Sequence, residues 1–293
     1  MVDSVTLMVL GDQKELYGRQ KVGCPIGFGI AVFLTGFFME ELDTSYALFG
    51  VFAACAIGCI MTIALLDFTP YRASLNATEE GRRSELELRK PSGSMWEILR
   101  SGEVLQFLTV IILLGFSVNV ILAFLFLFIR DNLGATPALI GLLGPLGSTT
   151  EIFRSLGTHR MLTVAQLITL YRCLAYIASM EFENGAWLAV VTQLMHGAAF
   201  SLIWSAAVVH IDTIASPEWR SSAQGLLNMT FNGIGAGLGS TLGGYVYEAY
   251  GAKTMWSLTA VIMVICLFIH TTSVAKRFFL LLAKCFQYGY SPL

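Results

Sequence analysis

At 293 residues, 55% hydrophobic and 13% charged, with a mean hydropathy of +0.68, the chain is far from a soluble composition. A formal net charge of −2 excludes the basic balance that a nucleic-acid partner would call for. The six cysteines (Cys24, Cys55, Cys59, Cys173, Cys266, Cys285) lie in or near apolar runs and read as buried thiols, with neither a disulfide framework nor a paired CxxC zinc site.

Residues 1–10, MVDSVTLMVL, lack a basic leader and a small-residue cleavage site. As helix they reach only about 15 Å, half a bilayer. The chain is therefore expected to open on the end of a truncated span, with a cytoplasmic segment running to residue 21. A crossing needs about 18 or more apolar residues. By that measure eight spans are expected, at 22–39, 46–66, 104–129, 136–157, 161–180, 186–209, 221–246 and 254–275. The fold class is an all-α integral membrane bundle. The polar loop 67–103, with RRSELELRK at its centre, separates two spans from six and is expected to be solvated. The tail 276–293 begins KRFFLLLAK and suits a basic, aromatic helix on the inner leaflet.

Charge sets the orientation. With the N-terminal segment, the 67–103 loop and the tail on one side, that side holds 14 of the 18 basic residues. The other side has only Arg130 and Lys253, while Arg154 and Arg172 fall inside spans. Glu40, Glu41, Asp43, Glu181 and Glu183 gather on the basic-poor side. The basic side is therefore expected to be cytoplasmic. Asn76-Ala-Thr78 is a glycosylation sequon that this orientation leaves unused.

Ionisable groups inside a span cost roughly 3 kcal/mol or more unless paired. Glu151 and Arg154, three apart, share a helix face and can pair. Counting from the turn at Arg160, Glu151 and Arg172 lie at depths within about 5 Å of each other, so they can also pair across two helices. Such a pair is either a cavity group that binds a polar solute or relays a proton, or a structural salt bridge. His196 lies mid-span with Gln193 three before it and Phe200 and Trp204 four and eight after. That face is either a proton-exchange site, for which imidazole is suited, or a histidine bonded to the next helix. Gln224, Asn228 and Asn232 recur every four residues, with Ala236 and Ser240 continuing the face. This amide stripe can grip a solute or bond adjacent helices; Asn119 is a further candidate of the same kind.

The stretch 217–251, PEWRSSAQGLLNMTFNGIGAGLGSTLGGYVYEAYG, is a glycine-rich apolar run between two polar turns. Gly233/Gly237, Gly235/Gly239, Gly239/Gly243 and Ser240/Gly244 have the small-xxx-small spacing of a closely packed transmembrane helix. This stretch resembles the eleventh span of major facilitator superfamily (MFS) carriers, in the branch of lactose-permease-like symporters and MFS domain-containing protein 6. Tyr17-Gly18-Arg19-Gln20-Lys21, followed by Gly27-Phe28-Gly29, is similar to that family's lead into its fifth span. The resemblance implies an MFS-type bundle in which 22–66 gives two spans of the first half and 104–275 the six-span second half. It also implies a fragment lacking the first three to four spans, and about ten residues fewer than the family carries near 158–163.

The resemblance places His196 at the histidine of the tenth span that handles protons in those symporters, with Ala199 where they carry its acidic partner. Asp3 and Lys21 bracket the junction in the manner of lactose permease's acidic and basic binding pair. The function implied is a secondary transporter of a small polar solute, with or without coupling to protons, working by alternating access in the plasma membrane. The alternative is a non-transporting receptor or scaffold on the same fold that binds a protein partner. No enzyme signature such as GxSxG, HExxH or GxxxxGK[ST] occurs, and no cofactor or metal is called for.

Overall fold

An apolar run in hydrocarbon can satisfy its backbone only by coiling on itself, so helix is enforced. The computed structural model describes residues 23–42, 46–65, 101–147, 157–215 and 219–288, and every regular element among them is helical. The expectations for residues 1–21, for Asp3 and Lys21, for most of the 67–103 loop with its sequon, and for Glu151 and Arg154 lie outside the described residues. The first elements are α1 (Gly23–Glu41), α2 (Tyr46–Leu65), α3 (Gly102–Leu133), α4 (Pro137–Gly141) and α5 (Leu143–Gly147). Then come α6 (Thr158–Ser179), α7 (Gly185–Thr192), α8 (Leu194–Ile214), α9 (Arg220–Asn228), a π-helical segment π1 (Met229–Gly235) and α10 (Ala236–Tyr288).

The chain divides into two units, Met1–Ser92 with Thr136–Thr149, and Gly93–Ala135 with Thr150–Leu293. In the first unit α1 packs on α2, α4 and α5. A Cβ at Gly36 of α1 would lie 2.5 Å from the Pro137 carbonyl oxygen, so the backbones there are as close as glycine permits. The Ala138 amide donates to a Glu40 carboxylate oxygen at 2.7 Å, placing negative charge at the start of α4. The stretch 136–157 is expected as one span, yet residues 137–147 form two short helices parted at Leu142. Pro145, with no N–H to return to the Gly141 carbonyl, is the local cause. Cys55 and Cys59 correct the reading of buried thiols: both are exposed on α2, whereas Cys173 and Cys266 in the second unit are buried.

The second unit is organised on α3. Val110, Ile111, Leu114 and Val118 of α3 meet Leu162 and Ala165 of α6 and Leu202, Ile203 and Ala206 of α8. Leu227, Phe231, Met263 and Cys266 complete the core from α9, π1 and α10. The glycine ladder is resolved into faces. Gly235, Gly239 and Gly243 turn to α3, where added Cβ atoms would meet the Ile112 oxygen at 2.9 Å, the Phe116 oxygen at 2.6 Å and Val120 at 3.1 Å. Gly237 faces open space. α10 is two helices, because Gly251 takes φ 82° and ψ 170°, a conformation closed to residues with a Cβ.

Five stretches among the described residues are long and apolar enough to cross a membrane: Leu48–Leu65, Gly102–Leu133, Thr158–Ser179, Gly185–Ile214 and Ser222–Thr272. The last, at 51 residues, would be about 76 Å as continuous helix, so its break at Gly251 makes it two crossings. The molecule is an all-α, multi-pass membrane protein.

Candidate functional site

α6 carries Arg172 and Tyr176 one turn apart, so both point to one face. The expected span 186–209 is interrupted where it meets them. The Gln193 amide bonds to the Val190 oxygen at 3.0 Å, and the His196 amide to the Gln193 oxygen at 2.9 Å. These are three-residue closures, the tighter 3₁₀ geometry, in which side chains three apart eclipse. Gln193 and His196 therefore project together.

They meet at Arg172, a guanidinium only 1% exposed. One terminal nitrogen contacts His196 Nδ1 at 3.0 Å; the other donates to Gln193 Oε1 at 2.6 Å and to the Tyr176 hydroxyl at 2.9 Å. Guanidinium can only donate, so Nδ1 of His196 is the acceptor and the neutral ring carries its proton on Nε2. Tyr176 is backed by Trp256 at 4.9 Å and Phe128 at 6.2 Å between ring centroids. Arg172 Nε and Trp256 Nε1 are buried and find no partner among the described residues. The three partners of the buried cation among the described residues are neutral, and they hold the charge by hydrogen bonds worth about 1.5–3 kcal/mol each.

From His196 an aromatic row descends α8. Phe200 stacks on the His196 ring at 6.3 Å and on Trp204 at 6.4 Å, and Phe231 of π1 meets both phenyl and indole edge-on. The face read from spacing is thus present, and it ends on the π segment. There the amide stripe divides. Gln224 donates to the Val208 carbonyl at 3.1 Å, tying α9 to α8. Asn232 donates to Asn228 at 2.6 Å, and both side chains are exposed. Asn119 donates to the Ala236 oxygen at 2.9 Å and the Ser240 hydroxyl at 2.6 Å, bridging α3 and α10. The structure therefore brings Arg172, Gln193 and His196 together, leaves Asn228 and Asn232 outward, and uses Gln224 and Asn119 between helices.

Tyr176 and Trp256 were not singled out by the sequence, although the Arg172/Tyr176 spacing was visible. Near the break at Gly251, Lys253 pairs with Glu181 at 2.7 Å. Lys253 beside it, through its hydrogen bond first and its charge second, holds the exposed Glu181 carboxyl below the ordinary range.

Apolar helices packed around a buried, hydrogen-bonded guanidinium define a helical membrane protein with a polar centre inside its second unit. Residues 1–258 match the MFS_1 like family, and the chain belongs to it, within the major facilitator superfamily. Over 271 residues it is 21% identical to the uncharacterized transporter YwbF of Bacillus subtilis (strain 168), which covers 89% of this chain and 63% of that protein. Over 291 residues it is 26% identical to a maltose permease of Geobacillus stearothermophilus, covering 96% of this chain and 67% of the relative. The chain spans about two-thirds of the length of these curated relatives.

Proposed function

We propose that the chain is the greater part of a secondary carrier that moves a small polar solute across a membrane by alternating access, exchanging a proton at His196. The observation that carries this reading is the Arg172 centre. A permanent charge buried among neutral groups is costly to keep, and intramembrane ionisable residues mark solute or ion pathways. The contact also supplies a coupling device. Protonation of His196 at Nδ1 removes the acceptor and sets two cations side by side, so a proton on His196 and the Arg172–His196 contact exclude each other. Whatever displaces Arg172 frees His196 to take a proton. The relative named maltose permease makes a sugar the first solute to try, and exposed Asn228 and Asn232 are amides of the kind that bond hydroxyls. The orientation read from the basic residues, with the 67–103 loop and C-terminus cytoplasmic, belongs to the same proposal.

The test is uptake of radiolabelled maltose and a panel of small polar solutes by full-length protein in proteoliposomes, with and without a pH gradient. Arg172→Ala leaves Gln193, Tyr176 and His196 without their shared donor and is expected to reduce uptake by at least tenfold. His196→Gln is expected to keep exchange of solute for solute while losing accumulation driven by the pH gradient. Uptake at the wild-type rate in Arg172→Ala overturns the assignment.

A further inference from the structure

Three of the four histidines converge at a place that the proposed solute pathway does not use. His159 opens α6, His210 lies near the end of α8 and His270 near residue 272 of α10. The His159 ring stands 5.5 Å from that of His210 and 5.7 Å from that of His270. His270 Nε2 lies 3.3 Å from the His159 carbonyl oxygen, and since a carbonyl only accepts, that nitrogen carries a proton. Phe107 of α3 packs on His210 at 4.4 Å, and Gln106 donates to the Ile269 carbonyl at 2.8 Å. Four helices are thus joined at one end by this group. Between them is a cavity of about 20 Å³, lined by Glu103, Gln106, His159, His210 and His270 with Phe107, Val110 and Leu162. That is room for one water. Arg172 lies thirteen residues along α6 from His159, about 20 Å away, so the two polar centres are distinct.

We propose that His159, His210, His270 and Glu103 form a proton-binding latch that closes this end of the second unit when its imidazoles are neutral and releases it when they charge. Among the described residues, the groups facing the cavity are one carboxylate, Glu103 of α3, and one imidazole each from α6, α8 and α10; Arg160 and Asp212 flank it on α6 and α8. Glu103 can balance a single imidazolium. A second charge, on a ring about 5.5 Å from the first, meets no further carboxylate among the described lining residues and is repelled by the first. Opening the helix ends lets each ring titrate in water near pH 6.5, within the range a membrane face experiences. The inference stands whether or not His196 exchanges protons.

Hydrogen exchange of the full-length protein in lipid nanodiscs tests it, from pH 7.5 to 5 and corrected for intrinsic exchange. Amides of residues 159–163 and 206–212 are expected to exchange faster as pH falls below about 6.5, by up to tenfold per pH unit for each proton taken up. His210→Phe keeps a ring against Phe107, and His270→Gln keeps a donor to the His159 carbonyl; each is expected to flatten that slope. His196→Gln is expected to leave it unchanged. A flat wild-type profile, a slope retained by both variants, or its loss in His196→Gln overturns the proposal. Should either variant fail to fold, nitrogen-detected imidazole titrations of the wild type decide: His159, His210 and His270 titrating together support the latch, and three independent ordinary titrations refute it.

Discussion

Gly239→Ala isolates the contact on which the second unit is built. A Cβ added at Gly239 would lie 2.6 Å from the Phe116 oxygen and 3.3 Å from both the Phe116 carbonyl carbon and Cα. These are backbone atoms, so no side chain can swing aside, and ordinary contact begins near 3.4 Å. α10 and α3 must separate by about 0.8 Å, stretching the bond from Asn119 to the Ala236 oxygen on the same seam. Overpacking of this kind costs about 1–3 kcal/mol. Removing a glycine from a helix returns up to about 1 kcal/mol. Gly237→Ala keeps the return without the clash, since nothing lies within 4 Å of its added Cβ. The difference between the two variants is then the steric cost alone, about 1–3 kcal/mol against Gly239→Ala. Equilibrium unfolding in mixed micelles, followed by tryptophan fluorescence, measures it. If Gly239→Ala is as stable as Gly237→Ala, the helices do not approach through this face and the account of the ladder fails.

Two further outcomes follow from the polar contacts. Asn119→Ala removes two bonds between α3 and α10 and is expected to cost about 1 kcal/mol in the same unfolding assay, while Asn228→Ala, on an exposed amide, costs less than half as much. Lys253 depresses the Glu181 carboxyl below its reference of 4.5, so the pair stabilises the folded state above that pH and the contribution disappears as pH falls through the depressed value. Carbonyl NMR is expected to show Glu181 titrating at higher pH in Lys253→Ala than in the wild type; unchanged titration would mean the pair does not persist in solution.

The helical, membrane-spanning character was legible because it depends on composition and length, which need no knowledge of neighbours. The turn at residues 180–184 and the break at Gly251 were legible for the same reason: short polar stretches between apolar runs have nowhere else to go. What could not be read is which neighbour each helix finds. The spacing of the glycine ladder fits two faces equally well, and only the packing shows that Gly235 and Gly239 meet α3 while Gly237 does not. The exposure of Cys55 and Cys59 has the same origin, since α2 is apolar all round and its sequence favours no face.

The site was legible as a set of residue types and hidden as a geometry. Spacing arguments assume a regular α-helix, yet the polar groups gather where the helices depart from it. The 3₁₀ closure at Gln193 turns two side chains, which an α-helix would splay by about 60°, onto a single guanidinium. Gln224 and Asn228 both lie on regular α9, ahead of the π turn over residues 229–235, so the stripe divides by what each side chain reaches: Gln224 bonds the Val208 carbonyl of α8, while Asn228 and Asn232 bond each other and face outward. The three histidines at the end of the second unit were missed for a complementary reason. Each comes from a different helix, without a local motif, and they become a group only because the start of α6, the end of α8 and the stretch of α10 around residue 270 meet at one level. A helix-by-helix reading can find a polar centre made within one or two turns of chain; one assembled from the ends of several helices requires the fold.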